Sequence, residues 1–404
     1  MREHDGQASQ AKTGHVAPSQ RSLSYSGGAS VFNCRGTQAV VASYGLAARG
    51  GSHKVSGAQF AALARVQREA RQGHGPVLLG CGIMRSALQQ MRILFCGETF
   101  PAARQHLTKR LGPGDEIAVC PSGRIREALD GVDVVIPLMC RIDAAIMDAG
   151  RFRLIHQWGA GLEGVDLAAA RERGIRVANV PATGSNADSV AELTILLTIA
   201  LLRELPAAQA NVRAGMLGWP LGRMLATRTV CLFGLGSIAK ALARRLRAFD
   251  VRLVGITRDP HHPKIAGFGL DACYSVEERA AALEQSDILI LCSRLSAETL
   301  GSIDADALRR LRPGSYLVNA ARGGLVDYDA LCAALKSGHL AGAGLDVYWR
   351  EPIDPDDTLL ALPNVIATPH IAGVTDRSYG EITDGVVANL ERFRRGEELL
   401  NRAV

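Results

Sequence analysis

The stretch from Arg228 to Asp259 constrains the fold of this chain more than any other, because it reads as strand, glycine turn, helix and strand. An apolar run over Val230–Phe233 leads into the sequence GLGSIA at residues 234–239, helical periodicity follows, and a second apolar run covers Leu253–Ile256. In such a unit the glycines allow a tight turn and close approach of a pyrophosphate, whose charge meets free N–H groups at the helix start. The stretch therefore predicts a dinucleotide-binding βαβ unit, with an ordinary glycine turn as the alternative.

The end of the second strand indicates which dinucleotide is preferred. In NAD sites an acidic residue about 20 positions beyond the glycines binds the ribose 2′-hydroxyl, but Thr257 occupies that place and Arg258 follows it. A carboxylate would repel a 2′-phosphate, whereas a guanidinium can bind one with two hydrogen bonds. The sequence thus favours NADP(H) over NAD(H). The nearby Asp259 keeps NAD(H) open, and a merely solvated arginine is the alternative for Arg258.

Composition narrows the class of protein. A chain of 404 residues can form two domains, and 47% hydrophobic with 21% charged residues is typical of a soluble globular protein. The net charge of +6 comes from residues 1–90, which hold ten Lys and Arg but three Asp and Glu. We therefore expect no nucleic-acid or membrane partner for the folded part. Nine cysteines without a CxxC pair indicate reduced thiols, a cytoplasmic location and no metal site.

Residues 1–90 differ in character from the rest of the chain. They are rich in Ser, Gly, Gln and Ala with little periodicity, so we expect a largely disordered N-terminal extension without chemistry. Their arginines and serines would suit an organelle transit peptide, and import through such a segment stays open. We favour an upstream extension that precedes a start at Met91, where a first β-strand begins abruptly.

From Met91 onward, apolar strand candidates alternate with helical stretches, which predicts an α/β fold with mostly parallel sheets. We assign residues 91–187 and 375–404 to a first domain and residues 188–374 to a nucleotide-binding domain of six strands. A long apolar helix from Asp188 through Leu202 is a natural hinge between them, and a C-terminal helix near residues 376–394 could return to the first domain.

Three polar residues follow predicted strands of the nucleotide-binding domain, namely Arg322, Glu351 and His370. Each alone is unremarkable, but ligands bind at the carboxyl ends of the strands in an open α/β sheet. Hydride transfer to a 2-keto acid needs a cation for the substrate carboxylate and a proton donor for the carbonyl oxygen. A histidine paired with a carboxylate can hold that proton near neutral pH, so the three residues match this reaction.

At these motifs the chain resembles the D-isomer-specific 2-hydroxyacid dehydrogenase family, which includes glyoxylate/hydroxypyruvate reductases. The similar segments are GLGSIA, LRPGSYLVNAARGGLVD, GLDVYWREP and TPHIAG, and the resemblance covers Met91 to about Arg395. It implies a flavodoxin-like substrate domain and a Rossmann domain, both with doubly wound parallel sheets, closing over a cleft, usually in a homodimer. It also implies reduction of a small 2-keto acid of the glyoxylate or hydroxypyruvate type with NAD(P)H.

The resemblance assigns roles to individual residues. Arg322 would orient the substrate, Glu351 would support the acid/base His370, and the loop with Ala160 and Gly161 would receive the substrate carboxylate through its N–H groups. Asp346 would bind the nicotinamide carboxamide. The full cofactor-binding prediction comprises Gly234, Leu235, Gly236, Ser237, Ile238, Thr257, Arg258, Cys292, Ser293, Ala320, Ala321, Arg322, Asp346 and His370.

The chain also departs from the family pattern. Where the family usually reads HVPLTPET, residues 292–299 read CSRLSAET, so Arg294 replaces a proline near the adenosine and could approach the same ribose as Arg258. The substrate loop continues with Leu162-Glu163-Gly164, so substrate identity does not transfer. Other functions on this scaffold are a nucleotide-sensing corepressor, phosphoglycerate dehydrogenase, and formate dehydrogenase, against which Glu351 counts because that enzyme usually pairs its histidine with glutamine.

Overall fold

The computed structural model of the chain describes residues 30–34, 37–41, 90–112 and 114–404. In the first two of these segments, β1 (Ser30–Cys34) pairs antiparallel with β2 (Thr37–Val41). This hairpin differs from the disorder expected for residues 1–90, and valine-rich sequences such as TQAVV favour strands. The rest of that expectation lies outside the described residues.

The first part of the α/β region forms a parallel sheet. Its five strands are β3 (Arg92–Cys96), β4 (Glu116–Cys120), β5 (Val134–Ile136), β6 (Leu154–His156) and β7 (Arg176–Ala178). Their order, β4-β3-β5-β6-β7, is the flavodoxin-like doubly wound order. Helices cover both faces, which explains why the central strands are apolar throughout. Three of these helices are α1 (Pro101–Arg110), α2 (Ala144–Ala149) and α3 (Leu167–Glu172), and a 3₁₀ segment covers Ser122–Ala128.

The chain then passes through α4 (Gly184–Leu202) and α5 (Leu205–Arg213) into a second parallel sheet. Its seven strands are β8 (Thr229–Phe233), β9 (Arg252–Thr257), β10 (Ala272–Ser275), β11 (Ile288–Leu291), β12 (Ser315–Asn319), β13 (Leu340–Leu345) and β14 (Val365–Ala367). The order β10-β9-β8-β11-β12-β13-β14 is that of a Rossmann sheet with one added strand. The predicted fold class is therefore confirmed. The prediction of six strands was wrong, since β10 is a half-buried edge strand whose sequence, ACYS, lacks an apolar run.

Four helices and three 3₁₀ segments connect the strands of the second sheet. They are α6 (Ser237–Leu246), α7 (Arg279–Glu284), α8 (Ala305–Arg310), α9 (Tyr328–Lys336), Arg247–Phe249, Pro263–Phe268 and Gly323–Leu325. Several short helices start at an aspartate that accepts a hydrogen bond from a first-turn N–H. Asp304 accepts from Ala307 at 2.8 Å, and Asp327 accepts from Ala330 at 2.8 Å. Such caps stabilise a helix by about 1 kcal/mol each and fix where these connections begin.

The last helix, α10 (Asp376–Arg395), packs on the first sheet rather than on the second. Its buried face contributes Tyr379, Ile382, Val386, Leu390 and Phe393 to the apolar cluster that includes β3 and β5. The first sheet is therefore covered on one face by residues from the far end of the chain.

Helix α4 begins at Gly184, four residues before the expected Asp188. The polar residues at its start find partners on α10, because Ser185 donates to Glu381 and Asn186 donates to Ser378 Oγ at 2.9 Å. Within the described segments, α4 is the one helix long and apolar enough to cross a membrane by length and composition. Its side chains instead pack in the interior, where Leu197 contacts β13.

A buried histidine links the first sheet to the C-terminal segment. His156 is fully buried, its Nδ1–H donates to the Gln157 carbonyl at 3.1 Å, and its Nε2 accepts from Asn389 at 2.9 Å. The Asn389 Oδ1 in turn accepts from the Leu400 N–H at 2.7 Å. Burial lowers the pKa of His156 to about 4, because desolvation disfavours the imidazolium.

We expect this histidine to make the fold acid-sensitive. In the unfolded chain this histidine binds a proton near pH 6.5, whereas in the folded chain it is still neutral at that pH. The stability that His156 contributes is therefore present above pH 6.5 and is lost as the pH falls toward 4. The loss amounts to about 1.4 kcal/mol per pH unit within that window. In urea titrations between pH 7.5 and 4.5, His156→Gln should show a shallower loss of unfolding free energy than the wild type. Equal slopes of the unfolding free energy against pH in the two proteins would contradict this expectation. The control is His262→Gln, which changes an exposed histidine.

Candidate active site

A cleft of about 540 Å³ runs along the carboxyl ends of the strands of both sheets. It takes residues from the first sheet, from the start of α4 and from the loops that follow β11, β12, β13 and β14. Ligands bind in this position in open α/β sheets. The lining includes the predicted residues Ala160, Gly161, Ile238, Cys292, Ser293, Ala320, Ala321, Arg322, Asp346 and His370.

A histidine and a carboxylate form a tight pair at this cleft. His370 Nδ1 lies 2.6 Å from Glu351 Oε2, and Glu351 Oε1 accepts from the Tyr348 N–H at 3.0 Å. The carboxylate is nearly buried behind the ring, with its side chain 11% exposed. The Phe100 ring meets the imidazole edge to face, with centroids 5.4 Å apart. Since Nδ1 is engaged, Nε2 is the ring nitrogen left to exchange a proton with a ligand.

The Asp346 carboxylate fixes the loop that carries His370. It is fully buried, and its oxygens accept from Thr368 Oγ1 at 2.6 Å, from the Ile371 N–H at 2.8 Å and from the Ala372 N–H at 2.8 Å. Desolvation raises the pKa of Asp346, and these hydrogen bonds oppose the shift. The structure therefore shows this residue as a brace for the loop, while its predicted contact to the nicotinamide stays a prediction.

Arg322 is held at the end of β12 by its neighbours. The Asn319 side chain accepts from the Ala321 N–H at 3.0 Å and donates to the Arg322 carbonyl at 2.8 Å, which fixes the turn. The guanidinium donates from Nη1 to the Ala321 carbonyl at 2.7 Å and from Nε to Glu163 at 3.2 Å. Glu163 comes from the first sheet, so this ion pair joins the two walls of the cleft.

The predicted substrate loop faces Arg322 at very short range. A Cβ atom at Gly161 would lie 2.1 Å from Arg322 Nη2, so no other residue fits there without moving the arginine. The Ala160 carbonyl accepts from Asn179 at 2.7 Å, which orients the loop. Among the described residues no acceptor takes the N–H groups of Ala160 and Gly161. They are therefore available to an anionic ligand.

The glycine turn has the shape that a dinucleotide requires. Gly234 has a φ of 94°, and a Cβ there would lie 2.7 Å from the Ser293 nitrogen, so the turn needs glycine. A Cβ at Gly236 would meet nothing within 4 Å, which leaves open space beside the backbone. Helix α6 starts at Ser237 without a side-chain cap, so its first N–H groups can bind a pyrophosphate. Leu235 is buried, so it could serve only through its backbone.

The residues predicted to select the cofactor lie at the end of β9, beyond the cleft lining. Thr257 is partly buried and Arg258 is exposed. The Asp259 Oδ1 accepts from the His261 N–H at 3.0 Å, so this carboxylate is engaged in its own turn.

The loop after β11 approaches Arg258 through Glu298. The pKa of the exposed Glu298 is lowered, chiefly by the hydrogen bond from Ser296 and to a lesser extent by the charge of Arg258. Arg294 belongs to the same loop and lines the cleft, and its carbonyl accepts from Thr299 Oγ1 at 2.7 Å. The loop that carries Arg294 therefore comes near Arg258.

Sequence reasoning missed the contacts of three contributors to the site. Phe100 contacts His370, Thr368 supports Asp346, and Glu163 pairs with Arg322. Phe100 and Glu163 come from the first sheet, remote in sequence from their partners. For Glu163, the departure from the family pattern marked the position but not its partner.

Comparisons with known proteins agree with this geometry. Residues 195–372 match the family described as D-isomer specific 2-hydroxyacid dehydrogenase, NAD binding domain. The chain is 35% identical to a protein named glyoxylate reductase from Korarchaeum cryptofilum, across 69% of this chain and 86% of that protein. The chain belongs to the D-isomer specific 2-hydroxyacid dehydrogenase family. The dehydrogenase is also 39% identical to a protein named (S)-sulfolactate dehydrogenase from Chromohalobacter salexigens, across 59% of this chain and 77% of that protein.

A solved relative carries a nicotinamide cofactor. The NADPH-dependent glyoxylate/hydroxypyruvate reductase of Sinorhizobium meliloti, in complex with NADP and malonate, is 34% identical to the dehydrogenase. The match covers 78% of this chain and 97% of that chain with a TM-score of 0.68. The protein is thus an NAD(P)-dependent oxidoreductase acting between a 2-hydroxy acid and a 2-keto acid.

We expect the histidine pair to control the rate of the reaction. His370→Ala should lower kcat for keto-acid reduction by about 10² or more, the usual contribution of a positioned general acid. Glu351→Gln should lower kcat by about tenfold or more, because the ring loses its charged partner, with the KM for the cofactor little changed. Steady-state kinetics would measure both effects. A His370→Ala variant within threefold of the wild type would refute the assignment, and His339→Gln, outside the cleft, is the control.

Proposed function

We propose that the dehydrogenase reduces a small 2-keto acid of the glyoxylate or hydroxypyruvate type, with NADPH as the preferred reductant. The observation that carries this proposal is the 2.6 Å pair of His370 and Glu351, in which His370 lines the same cleft as Arg322. A proton donor and a guanidinium are the two groups that reduction of a 2-keto acid requires. The relatives named glyoxylate reductase and glyoxylate/hydroxypyruvate reductase support this substrate type.

Each group has a distinct task in the proposed reaction. The Arg322 guanidinium and the N–H groups of Ala160 and Gly161 bind the substrate carboxylate and set the position of the carbonyl carbon. When bound, the nicotinamide supplies the hydride. His370 gives its proton from Nε2 to the carbonyl oxygen as negative charge develops there, and Glu351 stabilises the imidazolium before the transfer. In the reverse direction His370 accepts the hydroxyl proton.

A keto-acid panel tests the proposal directly. Oxidation of NADPH and of NADH is followed by absorbance with glyoxylate, hydroxypyruvate and pyruvate. Turnover of glyoxylate or hydroxypyruvate, abolished in His370→Ala, would support the proposal, whereas binding of the nucleotide without any turnover would favour the corepressor alternative. That alternative has no observation in its favour here.

The charges near the end of β9 favour NADPH. The loop that carries Arg294 comes near Arg258, and Thr257 replaces the acidic residue typical of NAD sites. A charge-assisted hydrogen bond to an ionic partner contributes about 1.5 to 3 kcal/mol. One well-placed arginine therefore corresponds to roughly a ten- to hundredfold preference for NADPH.

The cofactor preference should reverse when a carboxylate is restored. We expect Thr257→Asp to lower the NADPH/NADH ratio of kcat/KM by about tenfold or more, because the carboxylate repels the 2′-phosphate. Arg258→Ala and Arg294→Ala should each lower the ratio, whereas Arg309→Ala, on the exposed face of α8, should not. A wild type that prefers NADH would show that the phosphate assignment is wrong.

A homodimer is the assembly that the surface favours. Helix α5 has no buried residue, and the segment after it exposes Leu217 at 93%, Leu221 at 80% and Trp219 at 62%. Asn211 donates to the Trp219 carbonyl at 3.0 Å, so the segment folds back on α5. Apolar side chains exposed together mark interaction sites, and a second copy of the chain can cover such a segment symmetrically.

The free cysteines, such as Cys140 and Cys273, suit the reducing cytoplasm that we propose as the location.

Negative charges introduced into this apolar segment should separate the subunits. We expect the double variant Leu217→Asp, Leu221→Asp to elute as a monomer while the wild type elutes as a dimer, because burying two carboxylates in an interface is costly. Size-exclusion chromatography with light scattering gives both masses. Leu300→Asp, which changes an equally apolar residue that is 66% exposed outside the segment, should leave the dimer intact. A wild type that elutes as a monomer would overturn the assembly.

A further inference from the structure

The pairing of Glu163 with Arg322 places a negative charge inside the substrate end of the cleft. Glu163 Oε1 accepts from Arg322 Nε at 3.2 Å, and the two side chains are 33% and 31% exposed. Within the described residues, no other carboxylate lies within 4 Å of this guanidinium. Glu163 therefore shares the arginine with any anionic ligand that enters.

The geometry of the guanidinium leaves one side for the substrate. Nη1 donates to the Ala321 carbonyl, Nε donates to Glu163, and Nη2 lies against Gly161. A substrate carboxylate held by Nη2 and the N–H groups of the loop would therefore lie within a few ångströms of the Glu163 carboxylate. Any further charge on the substrate would meet this fixed negative charge.

Other charged groups in the lining do not offset Glu163. Asp346 is buried with both oxygens engaged, and Arg294 belongs to the loop after β11, which approaches Arg258 through Glu298. His370 is paired with Glu351. The remaining substrate end is largely apolar and comprises Phe100, Leu138, Met139, Trp158 and Leu162. A second anionic group would thus exchange water for an apolar wall and a like charge.

We propose that Glu163 is a specificity-determining residue that restricts the enzyme to 2-keto acids with a single negative charge. It disfavours substrates in which the second substituent of the carbonyl carbon carries a phosphate, a sulfonate or another carboxylate, and it accepts a hydrogen or a hydroxymethyl group as that substituent. This inference rests on the proposed keto-acid reduction.

The test compares substrates that differ in charge. kcat/KM is measured for hydroxypyruvate, which has one negative charge, and for 3-phosphohydroxypyruvate, 3-sulfopyruvate and oxaloacetate, which have more. Glu163→Gln keeps the size of the side chain and removes its charge, so we expect the ratio for multiply charged over singly charged substrates to rise about ten- to hundredfold. Glu163→Asp keeps the charge and should retain a ratio close to that of the wild type. The rise should shrink at high ionic strength.

The ratio separates a charge effect from a positioning effect. If Glu163 only orients Arg322, Glu163→Gln changes kcat/KM by the same factor for singly and multiply charged substrates. The ratio then stays that of the wild type, which would overturn the inference. A wild type that prefers a multiply charged substrate would also overturn it. Glu192→Gln is the matched control, because Glu192 pairs with Arg245 at the same 3.2 Å outside the cleft lining and should not change the ratio.

Failure of the proposed function has a different signature. If wild type and Glu163→Gln reduce no 2-keto acid of either class with NADPH or NADH, the proposed activity itself is wrong and this inference falls with it. Turnover of hydroxypyruvate with an unchanged ratio of kcat/KM values would contradict only the proposed role of Glu163.

Discussion

The buried carboxylate of Asp346 holds the proposed acid/base group in place. It stands at the end of β13 and binds the loop after β14 through the hydroxyl of Thr368 and the N–H groups of Ile371 and Ala372. His370 lies between these donors with a φ of 54°, a left-handed conformation that costs a non-glycine residue about 1 kcal/mol or more. The hydrogen bonds on both sides offset this cost. The direction of the imidazole is therefore set by the backbone, before Glu351 contributes its own bond.

The two carboxylate pairs of the cleft have different origins. Glu351 and His370 both follow strands of the second sheet, so the acid/base pair is assembled inside one domain. Glu163 and Arg322 come from different sheets, so their contact depends on how the two walls of the cleft meet. Proton transfer is thus preorganised locally, whereas recognition of the substrate charge responds to the position of one wall relative to the other.

Much of this architecture could be predicted from the sequence, for identifiable reasons. The glycine turn at residues 234–239 sits between two apolar strands, and each of Arg322, Glu351 and His370 lies in the loop after a strand, so parallel-sheet geometry brings them to one edge. The edge strand β10 was missed because a half-buried strand needs no apolar run. Helix α4 began earlier than expected because polar residues such as Ser185 find partners on α10. Phe100 and Glu163 could not be placed, since their contacts cross between domains and leave no local pattern.

The packing of α10 has a consequence for how this chain folds during its synthesis. Strands β3–β7 precede the second sheet in the chain, yet one face of their sheet stays exposed during synthesis until Tyr379, Ile382 and Val386 of α10 emerge, after the whole second sheet. The strands of the second sheet, in contrast, form one uninterrupted stretch of chain with their own apolar clusters. The second sheet can therefore complete its core before the first sheet does. Until α10 packs on it, the nascent first sheet exposes apolar surface, the feature that makes a partly folded chain prone to aggregate.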